Sequence, residues 1–429
     1  MTLKSKIKQL SFEGLIVSTG KFAGALGSLF IVYILTNNLS PDEYGILNLA
    51  MTFSIIINQL LIGPFGAGSI RFFAASVEHK EPNRYVAIIF KIIRKINILI
   101  AIIGIFLIVA VSFMKTEVDW TYSIIAVVLF TIGSSYYSIF TGLFLALKKQ
   151  VTVSLFQGLE PWVKAIFAFI CILIFGGSGL IALVGYVIGI AIIAITQKSL
   201  FAKIKFEDDS EQRDEVGWEK RVLNYSYPFV IWGVFTAVHL VSDRWVLKTF
   251  ATLSDVGMYS VVYQLGYFPV ILIMSVLVQV ITPYFYQMAG IGLDVQRMQK
   301  VRSVCKYLLI IPLVLTCFIA LALYIMQGFI FTYIVSPEYA QVGYLLPYIS
   351  IAAGLFATGE ATTLILQSES KSSILIRPKV FTAILGVILN AIGGITFGIK
   401  GIVFALIIYA LIYVLWIQRL INISSKESK

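Results

Sequence analysis

The sequence contains little charge for its length. Only 13% of its 429 residues are Asp, Glu, Lys or Arg, against about 25% in typical soluble domains. Hydrophobic residues make up 59%, and the mean hydropathy is +0.91. The apolar residues form repeated runs, each long enough to cross the hydrocarbon core of a bilayer as a helix. This scarcity of charge excludes a soluble globular protein and predicts an all-α integral membrane protein.

Cysteine and histidine are also scarce, with three and two residues. Cys171, Cys305 and Cys317 have no spacing that is typical of a metal site or a disulfide framework. His79 and His239 form no metal-binding motif with other residues. We therefore expect neither a metal nor another cofactor.

Catalytic motifs are missing as well. A phosphate-binding loop ending at Gly20 and Lys21 would need glycine where Leu15 stands and Ser or Thr where Phe22 stands. The chain contains no Asp-x-Asp triplet, which argues against a metal-dependent glycosyltransferase. Its predicted outer loops are also too short for a polymerase of lipid-linked sugars. The sequence predicts that the protein is not an enzyme and excludes ATP-driven transport within this chain.

Twelve apolar runs predict twelve transmembrane helices. The first run contains Lys21 and lacks a small-residue cleavage site, so we interpret it as a retained helix, not as a signal peptide. Tryptophans near the ends of the runs, among them Trp218, are interpreted as an interfacial belt. The runs are centred near Leu26, Ile56, Ile105, Thr131, Phe169, Val187, Phe235, Met274, Leu315, Ala353, Leu389 and Ile408.

Basic residues are distributed unevenly between the loops. If the N-terminus is cytoplasmic, the outer loops hold only Lys115, Lys248 and Lys400 of the 33 basic residues. Because Lys and Arg accumulate in cytoplasmic loops, we predict that both termini are cytoplasmic. The net charge of +11 then suits the anionic cytoplasmic leaflet and requires no nucleic acid as a partner.

The two halves of the chain resemble each other. The segment "LTNNLSPDEYGILNLA" from Leu35 has a shortened echo in "FATLSDVGMYSVV" from Phe250, and "FGGSGLIAL" from Phe175 has one in "FGIKGIVFAL" from Phe397. Each half holds six spans, so the halves share one orientation and form two parallel six-helix lobes. The predicted domains are an N-terminal lobe over residues 1–200, a cytoplasmic linker over 201–221 and a C-terminal lobe over 222–429.

Ionisable residues within the predicted spans are the main chemical signal, since each costs roughly 2.5 to 3.5 kcal/mol on insertion scales. The cations outnumber the anions, which suits an anionic group such as pyrophosphate, because arginine can donate two hydrogen bonds to phosphate oxygens. The cations are Lys21, Lys164, Arg244, Arg377 and Lys379, and the anions are Glu160, Asp243 and Glu360.

Most candidates for binding an anionic group have a structural alternative. Lys21 lies among glycines that would let two helices pack closely, and Lys164 shares a helix face with Glu160, its expected ion-pair partner. Arg71 lies near the end of a span, where anchoring at the membrane edge would also explain a basic residue. Arg377 and Lys379 lie near the start of another span, where their side chains could snorkel to the membrane surface. The substrate-binding candidates are Lys21, Arg71, Lys164, Arg244 and Arg377.

Three further residues are candidates for coupling transport to an ion. His239 and Asp243 share a helix face, which could carry a proton or order an arginine. Glu360, in "GLFATGEATT", is either a protonatable site or a residue hydrogen-bonded by Thr362 and Thr363.

The segment "LSPDEYGILNLA", the first helix with its embedded Lys21, and "SDRWVLKTF" leading into "LSDVGMYS" resemble those of bacterial polysaccharide-biosynthesis flippases. Their superfamily also holds multidrug and toxin extruders and lipid II flippases. The resemblance covers the whole chain. It implies secondary-active movement of undecaprenyl-pyrophosphate-linked O-antigen or capsule repeat units from the cytoplasmic to the periplasmic leaflet of the bacterial inner membrane, by alternating access.

Two transporter alternatives stay open. A cation-coupled multidrug extruder carries cationic substrates and would be expected to have an acidic cavity. A lipid II flippase carries a pyrophosphate-linked lipid but often has more than twelve helices. The expected partners are the lipid-linked oligosaccharide and membrane lipids, while a coupling proton or sodium ion and polysaccharide-assembly proteins remain open. The residues do not identify the sugar, the coupling ion or the oligomeric state.

Overall fold

The structure is a computed structural model that describes residues 3–113, 120–206, 217–289, 305–368 and 372–427. All regular elements within these ranges are helical. The first eight helices are α1 (Leu3–Asn38), α2 (Pro41–Ile57), α3 (Gly63–Glu78), α4 (Pro82–Ser112), α5 (Thr121–Ala146), α6 (Gln150–Phe175), α7 (Gly179–Phe201) and α8 (Trp218–Phe250). The remaining four are α9 (Leu253–Ala289), α10 (Cys305–Phe329), α11 (Leu346–Ser368) and α12 (Ile376–Glu427).

Short irregular turns extend several of these helices. A π-helical turn at Asn58–Ile62 joins α2 to α3, and another at Ile330–Ile334 follows α10. Turns of 3-10 helix at Pro337–Leu345 and Ser372–Leu375 precede α11 and α12. The joined pair α2 and α3 therefore forms one span of the membrane, from Pro41 to Glu78.

Eleven helical segments among the described residues are long and apolar enough to cross a membrane. The last of them, Ile376–Ser424, has 49 residues and would reach about 74 Å as one straight helix, against a hydrocarbon core of about 30 Å. It is broken at Gly398, whose φ of 58° and ψ of −133° are not helical. The two parts hold the predicted centres at Leu389 and Ile408, so the prediction of twelve spans is confirmed.

The turn between α6 and α7 also contains a glycine with a positive φ. Gly176, directly after Phe175, has a φ of 98°, just as Gly398 follows Phe397 with a φ of 58°. Residues other than glycine are strained at a positive φ of this kind. The echo between "FGGSGLIAL" and "FGIKGIVFAL" therefore marks two turns that both require glycine.

The other echo also marks corresponding helix starts. Ser40 caps α2 by accepting a hydrogen bond from the Glu43 backbone N–H at 3.4 Å, and Thr252 caps α9 by accepting one from the Asp255 N–H at 3.1 Å. The Asp255 carboxylate accepts a bond in return from the Thr252 N–H at 3.1 Å, which completes a capping box. The Glu43 carboxylate instead accepts the Gly179 N–H at 2.7 Å, which ties α2 to the start of α7.

The helices form two compact units, Met1–Val241 and Ser242–Lys429. The division falls within α8, so the first part of α8 belongs with the N-terminal helices. The lobes predicted over 1–200 and 222–429, with a linker over 201–221, remain a prediction, and residues 207–216 of that linker lie outside the described residues.

Trp218 fixes the start of α8 within the first unit. Its side chain is fully buried, and its Nε1 donates a hydrogen bond to Glu81 Oε2 at 2.7 Å. The ring also packs edge-on against Tyr85, with centroids 5.4 Å apart. The interpretation of Trp218 as an interfacial residue is wrong, because a buried carboxylate supplies the partner that its indole N–H would otherwise find at the membrane surface.

Small residues bring α6 close to its neighbours in the first unit. A Cβ atom on Gly24 of α1 would lie 2.9 Å from the backbone oxygen of Gln157 on α6. Farther along α6, a Cβ atom on Gly185 of α7 would overlap the backbone of Ala168. Backbones can approach this closely only where a side chain is absent or very small.

We expect Gly185→Ala to lower the melting temperature of the detergent-purified protein, because the added methyl group meets backbone atoms that cannot rotate away. Overpacking of this kind costs about 1 to 3 kcal/mol. The matched control is Gly328→Ala in α10, where a Cβ atom would have nothing within 4 Å. Because alanine favours the helix more than glycine does, this variant should be at least as stable as the wild type. Similar melting temperatures for the two variants would contradict this account of the α6 and α7 contact.

Candidate functional site

Two adjacent charged residues of α8 are buried in the second unit. Asp243 is 3% exposed and Arg244 is 7% exposed. Nη1 of Arg244 lies 3.3 Å from Asp243 Oδ1, and the Tyr259 hydroxyl donates to Asp243 Oδ2 at 2.6 Å. The guanidinium also lies over the ring of Tyr263, 4.9 Å from its centroid. A carboxylate and an aromatic face together compensate the cost of burying this cation.

The tyrosines beside Arg244 belong to a stripe along one face of α9. Tyr259, Tyr263 and Tyr267 are spaced four residues apart, and the last two rings stack with centroids 4.6 Å apart. Tyr263 and Tyr267 are partly exposed. Sequence reasoning missed this stripe, although the spacing of four in "MYSVVYQLGY" places all three on one helix face. The site therefore combines a cation with a row of aromatic rings.

A second charged cluster joins α11 and α12 within the same unit. Nζ of Lys379 lies 3.0 Å from each carboxylate oxygen of Glu360, and the Tyr413 hydroxyl donates to Glu360 Oε1 at 2.6 Å. The Glu360 side chain is 37% exposed and that of Lys379 is 26% exposed. Glu360 is thus a partly exposed carboxylate that contacts both a cation and a hydroxyl group within the predicted membrane spans.

Two sequence interpretations of this cluster are wrong. Thr362 donates to the backbone oxygen of Gly359 at 2.9 Å, and Thr363 donates to the backbone oxygen of Glu360 at 2.6 Å. Both hydroxyls therefore donate to the preceding turn, as Thr and Ser in a helix readily do. Lys379, interpreted as a snorkelling residue, instead makes an ion pair with Glu360.

The third cluster lies within α6 of the first unit. Nζ of Lys164 lies 2.6 Å from Glu160 Oε1, and the two side chains are 16% and 17% exposed. The ammonium group also lies 5.9 Å and 5.5 Å from the ring centroids of Phe130 and Tyr186. The structure thus contains the ion pair that the spacing of four residues predicts.

Four further candidates lie on α1, α3, α8 and α12. Lys21 is partly buried on α1, and Arg71 and Arg377 are exposed on α3 and at the start of α12. His239 is partly buried on α8, four residues before Asp243. Among the described residues, no three His, Cys, Asp or Glu side chains could together hold a metal ion. Binding and coupling roles for all the candidates remain predictions.

The sequence and the fold can both be compared with known proteins. The family model described as "Polysaccharide biosynthesis protein" matches residues 13–289. No curated protein matches the chain.

Several solved structures share the fold. An inward-facing multidrug resistance MATE family transporter of the MOP superfamily has a TM-score of 0.72 and 14% identity, over 96% of this chain and 100% of that one. Lipid II flippase MurJ in an inward closed conformation has a TM-score of 0.70 and 11% identity, over 96% and 87%. A MOP superfamily transporter from Pyrococcus furiosus, described by the reverse polarity of its binding pocket, has a TM-score of 0.60 and 15% identity, over 96% of this chain and 95% of that one.

Proposed function

Because the chain belongs to the polysaccharide biosynthesis protein family, we propose that it is a secondary-active flippase for undecaprenyl-pyrophosphate-linked oligosaccharide repeat units. In this proposal, the lipid-linked sugar moves from the cytoplasmic to the periplasmic leaflet of a bacterial inner membrane by alternating access. The twelve-span fold shared with MOP superfamily transporters supports a multi-pass membrane transporter.

The observation that carries the proposal is Arg244 with its tyrosine stripe. A guanidinium has five N–H donors in a planar fork that matches phosphate oxygens. In the structure, Nη1 of Arg244 lies 3.3 Å from Oδ1 and 3.5 Å from Oδ2 of Asp243. Tyr263 and Tyr267 next to it offer apolar ring faces with polar hydroxyl groups, a combination that suits the mixed surface of a sugar. This chemistry matches a pyrophosphate that is attached to an oligosaccharide.

The acidic residues favour this substrate over a cationic drug. Glu160, Asp243 and Glu360 each have a basic side chain within 3.3 Å. A substrate cation would have to displace a lysine or an arginine from its carboxylate, which is costly in a membrane interior. The cation-coupled multidrug extruder remains the alternative class, since a transporter of this fold is described as conferring multidrug resistance.

The remaining candidates keep their proposed roles. Lys21, Arg71, Lys164 and Arg377 are proposed as further contacts of the head group. His239, Asp243 and Glu360 are proposed as sites for a coupling proton or sodium ion. For Lys164 the ion pair with Glu160 supports an additional structural role, because breaking it would leave a charge without its counter-charge in a membrane span.

The proposed function is tested by expressing the chain in a panel of strains that each lack their own repeat-unit flippase. We expect surface polysaccharide to return in at least one strain and to remain absent with an empty vector. Lys148→Gln with Lys149→Gln, on an exposed loop between α5 and α6, serves as a matched variant that should behave like the wild type. Resistance to cationic drugs without polysaccharide would instead support the extruder, and growth of cells depleted of their lipid II flippase would support lipid II as the substrate.

A further inference from the structure

A cavity of about 910 Å³ opens between α4, α5 and α7 in the first unit. Its residues lie outside the three charged clusters described above. The volume is within the roughly 300 to 1,000 Å³ of typical ligand pockets. One wall includes Ile195 of α7, which is 63% exposed on a span of the membrane. We name this cavity the α4/α7 groove.

Small residues line part of the α4/α7 groove. They are Gly133 of α5 and Ala191 and Ala194 of α7, and their small size leaves room for a chain of methylene groups. Along α7 the groove reaches from Ala191 to Ala202, about 17 Å of helix. Phe90 and other aromatic rings also line it. This shape and surface suit an extended acyl chain.

Basic side chains also line the groove. They are Lys91 and Arg94 of α4 and Lys198 of α7, and all three are exposed. Lys91 contacts Glu219 at 3.0 Å. Neither Arg94 nor Lys198 has a carboxylate within 4 Å in the part of the chain that the structure describes. The three cations therefore exceed the single neighbouring acid.

We propose that the α4/α7 groove binds an anionic phospholipid of the surrounding membrane. The phosphate lies between Arg94 and Lys198, and one acyl chain runs along the small residues toward Gly133. In the topology predicted from the basic residues, the groove lies in the cytoplasmic half of α4 and α7, and anionic lipids of the cytoplasmic leaflet attract basic pockets between transmembrane helices. The site needs no assumption about which substrate the protein transports.

The test uses the full-length protein in detergent and native mass spectrometry with phosphatidylglycerol and phosphatidylcholine. We expect phosphatidylglycerol to bind more tightly than phosphatidylcholine. Arg94→Gln with Lys198→Gln should weaken phosphatidylglycerol binding about 25-fold, because each basic residue near an anionic head group contributes about fivefold. The matched control, Lys148→Gln with Lys149→Gln, removes the same charge from an exposed loop outside the groove and should leave binding unchanged.

A second variant tests the space in the groove without changing the charge. Ala194→Phe should fill the groove beside the small residues and also weaken phosphatidylglycerol binding. Equal losses in the groove variant and the loop control would overturn the proposal, as would equal binding of the two lipids. Displacement of phosphatidylglycerol by millimolar inorganic phosphate would show that the site recognises free phosphate, and this too would overturn it.

Discussion

Replacement of Arg244 by glutamine should abolish restoration of surface polysaccharide in any strain that the wild-type chain complements. If the guanidinium holds the pyrophosphate, its loss removes charge-assisted hydrogen bonds worth about 1.5 to 3 kcal/mol, or roughly a 10- to 100-fold loss of affinity. The same change also removes the counter-charge of Asp243, which is 3% exposed. Breaking a buried ion pair costs about 3 to 5 kcal/mol, so the amount of folded protein must be measured in parallel.

Two further variants separate transport from folding. Asp243→Asn with Arg244→Gln leaves no charge in the pair, and the Tyr259 hydroxyl can still donate to the asparagine oxygen. We expect this double variant to recover folded protein but not polysaccharide. Arg244→Lys keeps the charge but loses the planar fork, and should transport at an intermediate level. If the double variant transports at the wild-type level, Arg244 is a structural residue and does not bind the substrate.

Glu360→Gln should remove the response of transport to an imposed pH gradient. The measurement uses proteoliposomes and a fluorescent lipid-linked oligosaccharide, with flipping rates compared with and without the gradient. A carboxylate that gains and loses a proton during each cycle cannot be replaced by an amide that does neither. Because Lys379 lies 3.0 Å from the carboxylate, the single variant also leaves this lysine without its counter-charge.

The neutral pair Glu360→Gln with Lys379→Gln isolates the coupling role. It should fold as well as the wild type and retain flipping without a gradient, yet show no stimulation by one. Tyr413→Phe removes the hydrogen bond of 2.6 Å to Glu360 but keeps the ion pair, so the pH response should persist. Full stimulation in the neutral pair would assign coupling to another residue, with Asp243 and His239 the next candidates.

The number of spans could be predicted from the sequence because each span needs about twenty apolar residues, and that requirement is local. All twelve predicted centres fall within helices of the structure. The bounds of the last two spans could not be predicted, since a single residue, Gly398, separates them. In the sequence, Lys400 is the charged residue that marks this turn, and it does not show where either helix ends.

The charged clusters were predictable where both partners share a helix. Glu160 and Lys164 are four residues apart, and their ion pair follows from helix geometry alone. The contact between Glu360 and Lys379 joins two helices, and the burial of Trp218 depends on Glu81 far away in the sequence. Such contacts depend on how helices pack against each other, which one sequence without an alignment does not specify.

The two glycine turns with positive φ also record the history of the chain. A duplication would have produced two copies of a turn that began with Phe and Gly, and the copies have since diverged to Gly177 and Ser178 in one and Ile399 and Lys400 in the other. Replacement of the glycine at 176 or 398 would strain the backbone. At these positions the requirement falls on the conformation of the main chain, so the two halves can share a turn while their side chains differ.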